Sequence, residues 1–129
     1  MAQRGLLVTA AILGLTAVII GAFGAHTLRN IISRESLETF EIAVRYQFYH
    51  ALALLAITPV LGRISKPVAI WVPRFWISGV LLFSGSLYLL SIFRVHWIGI
   101  ITPVGGIAFL IGWALLTYGF FLVPDEEMD

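Results

Sequence analysis

The sequence contains no cysteine and few charged residues, and each absence excludes a class of protein. Without cysteine the chain has no disulfide, thiol nucleophile, iron–sulfur ligand or cysteine zinc site. Charged residues make up 12% of the 129-residue chain and hydrophobic residues 60%, whereas soluble domains average about 25% charged residues. A soluble fold with so few charges would expose large apolar patches. Together with a mean hydropathy of +0.98, this predicts a single integral membrane domain.

Charge balance and missing motifs exclude further functions. The formal net charge is +1, so no basic surface indicates a nucleic-acid partner. The chain has no G-x-S-x-G, P-loop or dinucleotide-binding motif, and no nucleophile stands beside a base in a recognisable pattern. We therefore predict that the protein is not an enzyme, and the residues indicate no metal or cofactor.

Four stretches fit the length of about 20 residues that a helix needs to cross a bilayer. The predicted spans cover residues 5–25, 42–61, 75–93 and 98–123. The first is too long for the apolar region of a typical signal peptide, so we keep it as a helix. The prediction is an all-α fold, a transmembrane four-helix bundle in one domain.

Aromatic and proline residues suggest where the third helix meets the membrane surface. Trp71 and Trp76 are expected as interface anchors, where indole rings are enriched. Pro73 is expected in the first helical turn, because the N–H that proline lacks has no intrahelical partner there.

The second span differs from the others because it carries polar residues. It reaches membrane length only if Arg45, Gln47 and His50 are included, and such side chains face a bundle interior or a watery cavity. Upstream, Ser33 or Ser36 is placed to cap a helix. We predict one helix over residues 34–61, whose amphipathic segment, residues 34–45, is expected to lie on the membrane surface before the chain enters the bilayer.

Orientation follows from the basic residues flanking the spans. Four spans place both termini and the 62–74 connection on one side, and each side of the membrane then carries four basic residues. Arg34 and Arg45 lie among glutamates, so we discount them. The prediction is a multi-pass membrane protein with cytoplasmic termini.

Small residues recur at helical spacing in the first and fourth spans. Such stripes allow close approach of a neighbouring backbone in a membrane bundle. Helix packing is the favoured interpretation, and a narrow seam for a ligand or lipid chain is the alternative. The predicted helix-packing residues are Gly14, Gly21, Gly24, Gly105, Gly112 and Gly119.

Four motifs occur in order along nearly the whole chain, and together they resemble the YgdD-type family of small bacterial membrane proteins. The resemblance implies a four-helix multi-pass protein of the inner membrane and brings no established activity or cofactor, since the family is catalogued as a domain of unknown function. The acidic tail, residues 125–129, departs from the basic tail expected in some relatives. The motifs are residues 21–26 (GAFGAH), 46–51 (YQFYHA), 82–88 (LFSGSLY) and 102–106 (TPVGG), with Gly112-Trp113 after them.

Polar and titratable residues gather on the membrane side that carries the 27–45 segment. Each also has a structural explanation: the first histidine can cap backbone carbonyls, the arginine can pair with a glutamate four residues earlier, and the others can link helices. The candidate polar cluster consists of His26, Glu38, Glu41, Arg45, Tyr46, Gln47, Tyr49 and His50.

Three functions are compatible with these residues. The first is an accessory bundle that binds bilayer lipid or another membrane protein, or that forms a homo-oligomer. The second is a small transporter or proton-linked channel acting as an oligomer, whose polar path would comprise Glu41, Arg45, Gln47 and His50. The third is haem or metal binding through His26 and His50. We favour the first, because almost no part of the chain lies outside the predicted membrane helices.

Overall fold

The computed structural model describes residues 2–127, and within them it is helical with no strand. The principal helices are α1 (Gln3–His26), α2 (Arg34–Ile57), α3 (Lys66–Phe93) and α4 (Ile101–Phe121). Short 3₁₀ turns join them at Leu28–Asn30, Thr58–Arg63 and His96–Ile100. The all-α four-helix prediction is confirmed. The last two residues of the acidic tail lie outside the described residues.

Three helices are long and apolar enough to cross a membrane: α1, α3 and α4. For α1 and α4 the apolar length includes the adjoining 3₁₀ turn. The polar helix α2 is not among these three, but it lies antiparallel to α1. Gly24 of α1 faces Phe40 near the start of α2, and Gly14 faces Ala51 well along it. Because α2 accompanies α1 over this length, the two helices occupy the same depth.

The start of α2 agrees with the prediction, and its end does not. Ser33 caps the helix, its hydroxyl accepting a 3.1 Å hydrogen bond from the backbone N–H of Ser36. The α-helix stops at Ile57 rather than near residue 61, and a 3₁₀ turn follows. Pro59 explains the change, because it offers no N–H to continue the α-helical ladder.

The apolar side of the amphipathic start of α2 packs inside the bundle, and its position on the membrane surface stays a prediction. Phe40 is 1% exposed and Ala43 is fully buried. The Phe40 ring packs 5.3 Å from the ring of Tyr88 on α3, and Ser84 of α3 bonds to the Ala43 carbonyl. The apolar side of the segment is therefore covered by α1 and α3.

Helix α3 begins at Lys66, well before the predicted span, because Pro67 occupies its first turn. Pro73 consequently lies inside the helix rather than in its first turn. Trp76 is fully buried in the core, so the expectation of an interface anchor was wrong, whereas Trp71 is exposed. One turn of π-helix, Val80–Ser84, interrupts α3 midway.

The glycines of α4 lie where α3 approaches most closely. A Cβ added at Gly105 would stand 2.3 Å from the backbone nitrogen of Phe83, in the π-turn. At Gly112 it would stand 2.4 Å from the Trp76 ring, and at Gly119 2.8 Å from Val68. These contacts leave no room for a larger residue.

The predicted glycines of α1 differ in how closely the side chains of α2 approach them. An added Cβ would meet Phe40 at 2.4 Å from Gly24 and Val44 at 3.1 Å from Gly21. At Gly14 the nearest atoms are 3.9 Å away, which is ordinary contact distance. Close packing therefore requires glycine near the end of α1 but not at its middle.

Adjacent glycines in α4 allow a matched test of this packing. We expect Gly105→Ala to destabilise the bundle by about 1–3 kcal/mol, because the backbone of Phe83 must move. Gly106→Ala should be neutral or stabilising by up to about 1 kcal/mol, because its Cβ meets nothing closer than 3.8 Å and alanine favours helix. Thermal unfolding in detergent measures both variants. Equal stability of the two would contradict the proposed packing.

Candidate functional site

The amide of Gln47 links three helices inside the bundle. Its nitrogen donates to the Leu13 carbonyl at 2.9 Å and to the Thr16 hydroxyl at 2.8 Å, both on α1. Its oxygen accepts a 2.7 Å hydrogen bond from the Tyr88 hydroxyl of α3. The Thr16 hydroxyl in turn donates to the Ile12 carbonyl at 2.8 Å. Such mutual pairing is required where no water is available.

His50 is buried, and both of its ring nitrogens are engaged. Nδ1 lies 2.7 Å from the Tyr46 carbonyl, and the Trp113 indole N–H donates to Nε2 at 3.1 Å. Because an indole N–H only donates, Nε2 is the acceptor and Nδ1 carries the proton. The ring also stacks on Phe109, with centroids 3.8 Å apart and planes 10° apart. A neutral, fully paired imidazole has no lone pair left for haem or a metal ion.

The structure does not bring His26 and His50 together. His26 is exposed at the end of α1, beyond Gly24, which faces Phe40. His50 lies ten residues further along α2 than Phe40, about 15 Å along the axis at the α-helical rise. Within residues 2–127 no three His, Asp or Glu side chains lie close enough to hold a metal. The predicted histidine pair is therefore not a ligand pair in this fold.

The remaining predicted residues divide between the bundle interior and its outer face. Glu38, Glu41, Arg45 and Tyr49 are exposed. Arg45 pairs with Glu41 at 3.5 Å, the partner expected from the i, i+4 spacing. Tyr46 is 40% exposed, and its ring packs 4.8 Å from that of Phe83. Of the eight predicted residues only Gln47 and His50 are buried.

Serines in the apolar helix α3 bond to backbone, as expected from the sequence, and one of them also meets a hydroxyl of α4. The Ser84 hydroxyl donates to the Ala43 carbonyl at 2.7 Å, and the hydroxyls of Ser86 and Thr102 lie 2.6 Å apart. Tyr88 and Trp113 are partners that sequence reasoning missed. A signal existed for both, because tyrosine and tryptophan inside a lipid-facing helix still need a hydrogen-bond partner.

Toward the end of the bundle that holds the α1 N-terminus the described interior is mostly apolar, and the buried Thr58 hydroxyl there donates to the Leu54 carbonyl one turn earlier. The interior there is an apolar cluster that includes Ala10, Leu54, Val72, Trp76 and Leu116. Within the described residues, Gln47 and His50 thus have polar neighbours on one side and an apolar core on the other. The arrangement locks helices together and forms no continuous polar path.

A cleft of about 710 Å³ opens at the end of the bundle where α1 begins. It exists because α1 packs on α2 while the first half of α3 packs on α4. Apolar residues such as Leu6, Ile70 and Ile77 line it, together with Lys66 and Arg74. No carboxylate pairs with either cation in the described part of the chain. We name this space the α1–α3 cleft.

These features define an integral membrane bundle in which Gln47 and His50 are paired inside, while the buried indole N–H of Trp76 has no hydrogen-bond partner among the described residues. The chain belongs to the family described as "Protein of unknown function (DUF423)", whose model matches residues 20–106. It is 43% identical over 117 residues to UPF0382 membrane protein SSP2132 of Staphylococcus saprophyticus, covering 91% of this chain and 97% of that protein. It is 38% identical over 119 residues to UPF0382 inner membrane protein YgdD of Escherichia coli K12, covering 92% and 91%.

The names of these relatives confirm the family resemblance and assign no activity. They support a membrane protein of unknown role. No solved structure matches the chain.

The hydrogen bond between Gln47 and Tyr88 can be tested with a double-mutant cycle. We expect Gln47→Leu and Tyr88→Phe to be coupled by about 0.5–1.7 kcal/mol, the range for hydrogen bonds between membrane helices. Unfolding by detergent titration gives the required free energies. Tyr49→Phe serves as the control, because Tyr49 lies on the exposed face and should not couple to Gln47. A Gln47–Tyr88 coupling near zero would contradict the link.

Proposed function

We propose that the protein is a non-enzymatic, lipid-binding accessory bundle and that the α1–α3 cleft holds an anionic phospholipid. The observation that carries the proposal is an apolar cleft of about 710 Å³ lined by two cations without ion-pair partners, Lys66 and Arg74. Apolar walls suit an acyl chain, and cations beside them suit a phosphate. Two cavities at the opposite end of the bundle differ from it, because each is lined by a glutamate as well as by arginine.

The two cations are placed to act at different depths. Lys66 starts α3 and Arg74 lies eight residues later, about 12 Å along the helix axis. Arg74 stacks over the Trp71 ring, with its guanidinium carbon 5.2 Å from the centroid. Stacking preorganises the guanidinium, whose planar fork suits bidentate contact with phosphate. Lysine adds a flexible point charge nearer the aqueous surface.

The alternatives have less support from the same geometry. A transporter or proton channel needs a polar path, and the apolar core below Gln47 interrupts it. Haem or metal binding needs a free imidazole nitrogen, and both nitrogens of His50 are paired. A homo-oligomer or another membrane protein has no specific surface to favour it, because exposed apolar faces are solvated by lipid.

We propose cytoplasmic termini on the distribution of basic residues and of the glutamates that pair with them. The end with the α1–α3 cleft carries Arg4, Arg63, Lys66 and Arg74. At the opposite end Arg34 and Arg45 form ion pairs with Glu38 and Glu41. The effective excess of positive charge therefore favours the cleft end as the cytoplasmic side. That leaflet also has the negative surface potential that attracts lysine and arginine.

Removing both cations should weaken binding of anionic lipid. Each basic residue near an anionic surface contributes about 1 kcal/mol, so Lys66→Gln/Arg74→Gln should lower affinity for phosphatidylglycerol roughly 30-fold. Native mass spectrometry of protein titrated with the lipid in detergent measures the effect. The control is Arg29→Gln/Arg34→Gln, which removes the same charge from the opposite end. Equal losses in the two double variants, or no loss in either, would contradict the cleft as the site.

The absence of cysteine makes the orientation directly testable. A single cysteine introduced as Ala2→Cys should react with a membrane-impermeant maleimide only after the cells are permeabilised. The matched variant Asn30→Cys, in the connection between α1 and α2, should react in intact cells. The reverse pattern would show that the termini are outside.

A further inference from the structure

A second, polar cavity of about 310 Å³ lies at the opposite end of the bundle, between the start of α2 and the end of α3. Glu35, Arg94 and His96 line it together with the hydroxyls of Ser33 and Ser36. None of these residues belongs to the α1–α3 cleft. We name it the α2–α3 pocket.

The charges that line the α2–α3 pocket do not neutralise one another. Glu35, Arg94 and His96 form no ion pair in the described part of the chain. Neighbouring charges on α2 do pair, as Arg34 does with Glu38 at 3.4 Å. A pocket lined by a carboxylate and a guanidinium that do not pair with each other can attract both charges of a zwitterion. A ligand with one charge would be attracted to one of these groups and repelled by the other.

Arg94 adopts a backbone conformation that its side chain disfavours. It is the one non-glycine residue with positive φ in residues 2–127, at 53°, and it ends α3 in the left-handed region. Glycine or asparagine is usual at this position of a helix end. An outlier of this kind is a reason to look for a function of the side chain, and here arginine brings a guanidinium to the pocket.

The hydroxyl groups add neutral contacts on the α2 side of the pocket. Ser33 and Ser36 lie 3.0 Å apart through their hydroxyls, and the Ser33 hydroxyl also caps the helix. The Ser33 hydroxyl already donates to the Ser36 hydroxyl, so only the Ser36 hydroxyl of this pair can donate to a phosphate near Arg94. The volume is at the lower end of ligand pockets, which run from about 300 to 1,000 Å³. It suits a headgroup or small metabolite rather than a whole lipid.

We propose that the α2–α3 pocket binds a small zwitterion that carries a phosphate and a primary ammonium, with the phosphate on Arg94 and the ammonium on Glu35. Two sources have this chemistry: the headgroup of an ethanolamine phospholipid and soluble phosphoethanolamine. The pocket lies at the end of the membrane helices, where it is open to both.

The test uses the purified full-length chain in nanodiscs of phosphatidylcholine. One arm adds phosphatidylethanolamine to the lipid and measures retained lipid by native mass spectrometry. The other arm titrates soluble phosphoethanolamine by calorimetry, with inorganic phosphate as a comparison. Saturable binding in the lipid arm alone assigns the headgroup, and in the soluble arm alone the metabolite. Either outcome supports the site, as does binding in both arms.

Matched variants show whether the charges act as proposed. Glu35→Gln and Arg94→Asn should each reduce binding at least tenfold, whereas Glu38→Gln and Arg29→Asn, at the same end but outside the pocket, should not. Arg94→Gly separates binding from folding: glycine accepts the left-handed conformation, so the melting temperature should stay level or rise while binding is lost.

Three results would overturn the proposal: no saturable binding in either arm, inorganic phosphate binding as tightly as the zwitterion, or equal losses in the pocket and control variants. The proposal is independent of the α1–α3 cleft. Lys66→Gln/Arg74→Gln should leave binding at the α2–α3 pocket unchanged, so that failure of one proposal is distinguishable from failure of the other.

Discussion

Gln47 carries both donors and an acceptor into a region where lipid cannot hydrogen-bond to them, and the arrangement of α1, α2 and α3 follows from satisfying that amide. Its nitrogen reaches the Leu13 carbonyl and the Thr16 hydroxyl, while its oxygen holds the Tyr88 hydroxyl. Without these partners a helix as polar as α2 would not be stable in hydrocarbon. The pairing therefore fixes which face of α2 turns inward and how far α1 and α3 stand from it.

Close approach of the helices depends on glycine and on the π-turn of α3. Gly24 admits the Phe40 ring between α1 and α2, and Gly105 admits the backbone of Phe83 between α3 and α4. The π-turn adds a residue to the helical turn at this crossing, and Ser84 bonds from it to the Ala43 carbonyl. Before this crossing the first half of α3 packs mainly on α4, and after it the second half packs mainly on α2. Because α1 packs on α2 while the first half of α3 packs on α4, these two segments diverge and the α1–α3 cleft opens between them.

The helices were predictable because long apolar runs and a serine cap are local features. The inward positions of Gln47 and His50 were also predictable, since lipid excludes unpaired polar groups. Other features depend on register between helices, which a single sequence does not contain. Trp76 was expected at the membrane interface because indole rings are common there. In the structure its ring packs against Gly112 of α4, where the missing side chain leaves room for it in the core. The distance between His26 and His50 also depends on the register between α1 and α2. The sequence placed both residues near the same membrane surface, but it did not give their separation along the helix axes.

The interior polar groups hold the helices together, whereas the two proposed sites at the ends of the bundle are open to ligands. Inside the bundle, the amide nitrogen and oxygen of Gln47 bond to neighbouring helices, and both nitrogens of His50 are also paired, Nδ1 with the Tyr46 carbonyl of the same helix. With these interior groups paired, the described cavities that carry polar or charged groups lie where the helices end. The two ends differ in charge, with unpaired cations beside an apolar cleft at one and opposite charges that do not pair with each other at the other. Recognition of two different polar groups, one at each membrane surface, accords with this division better than passage of a substrate between them.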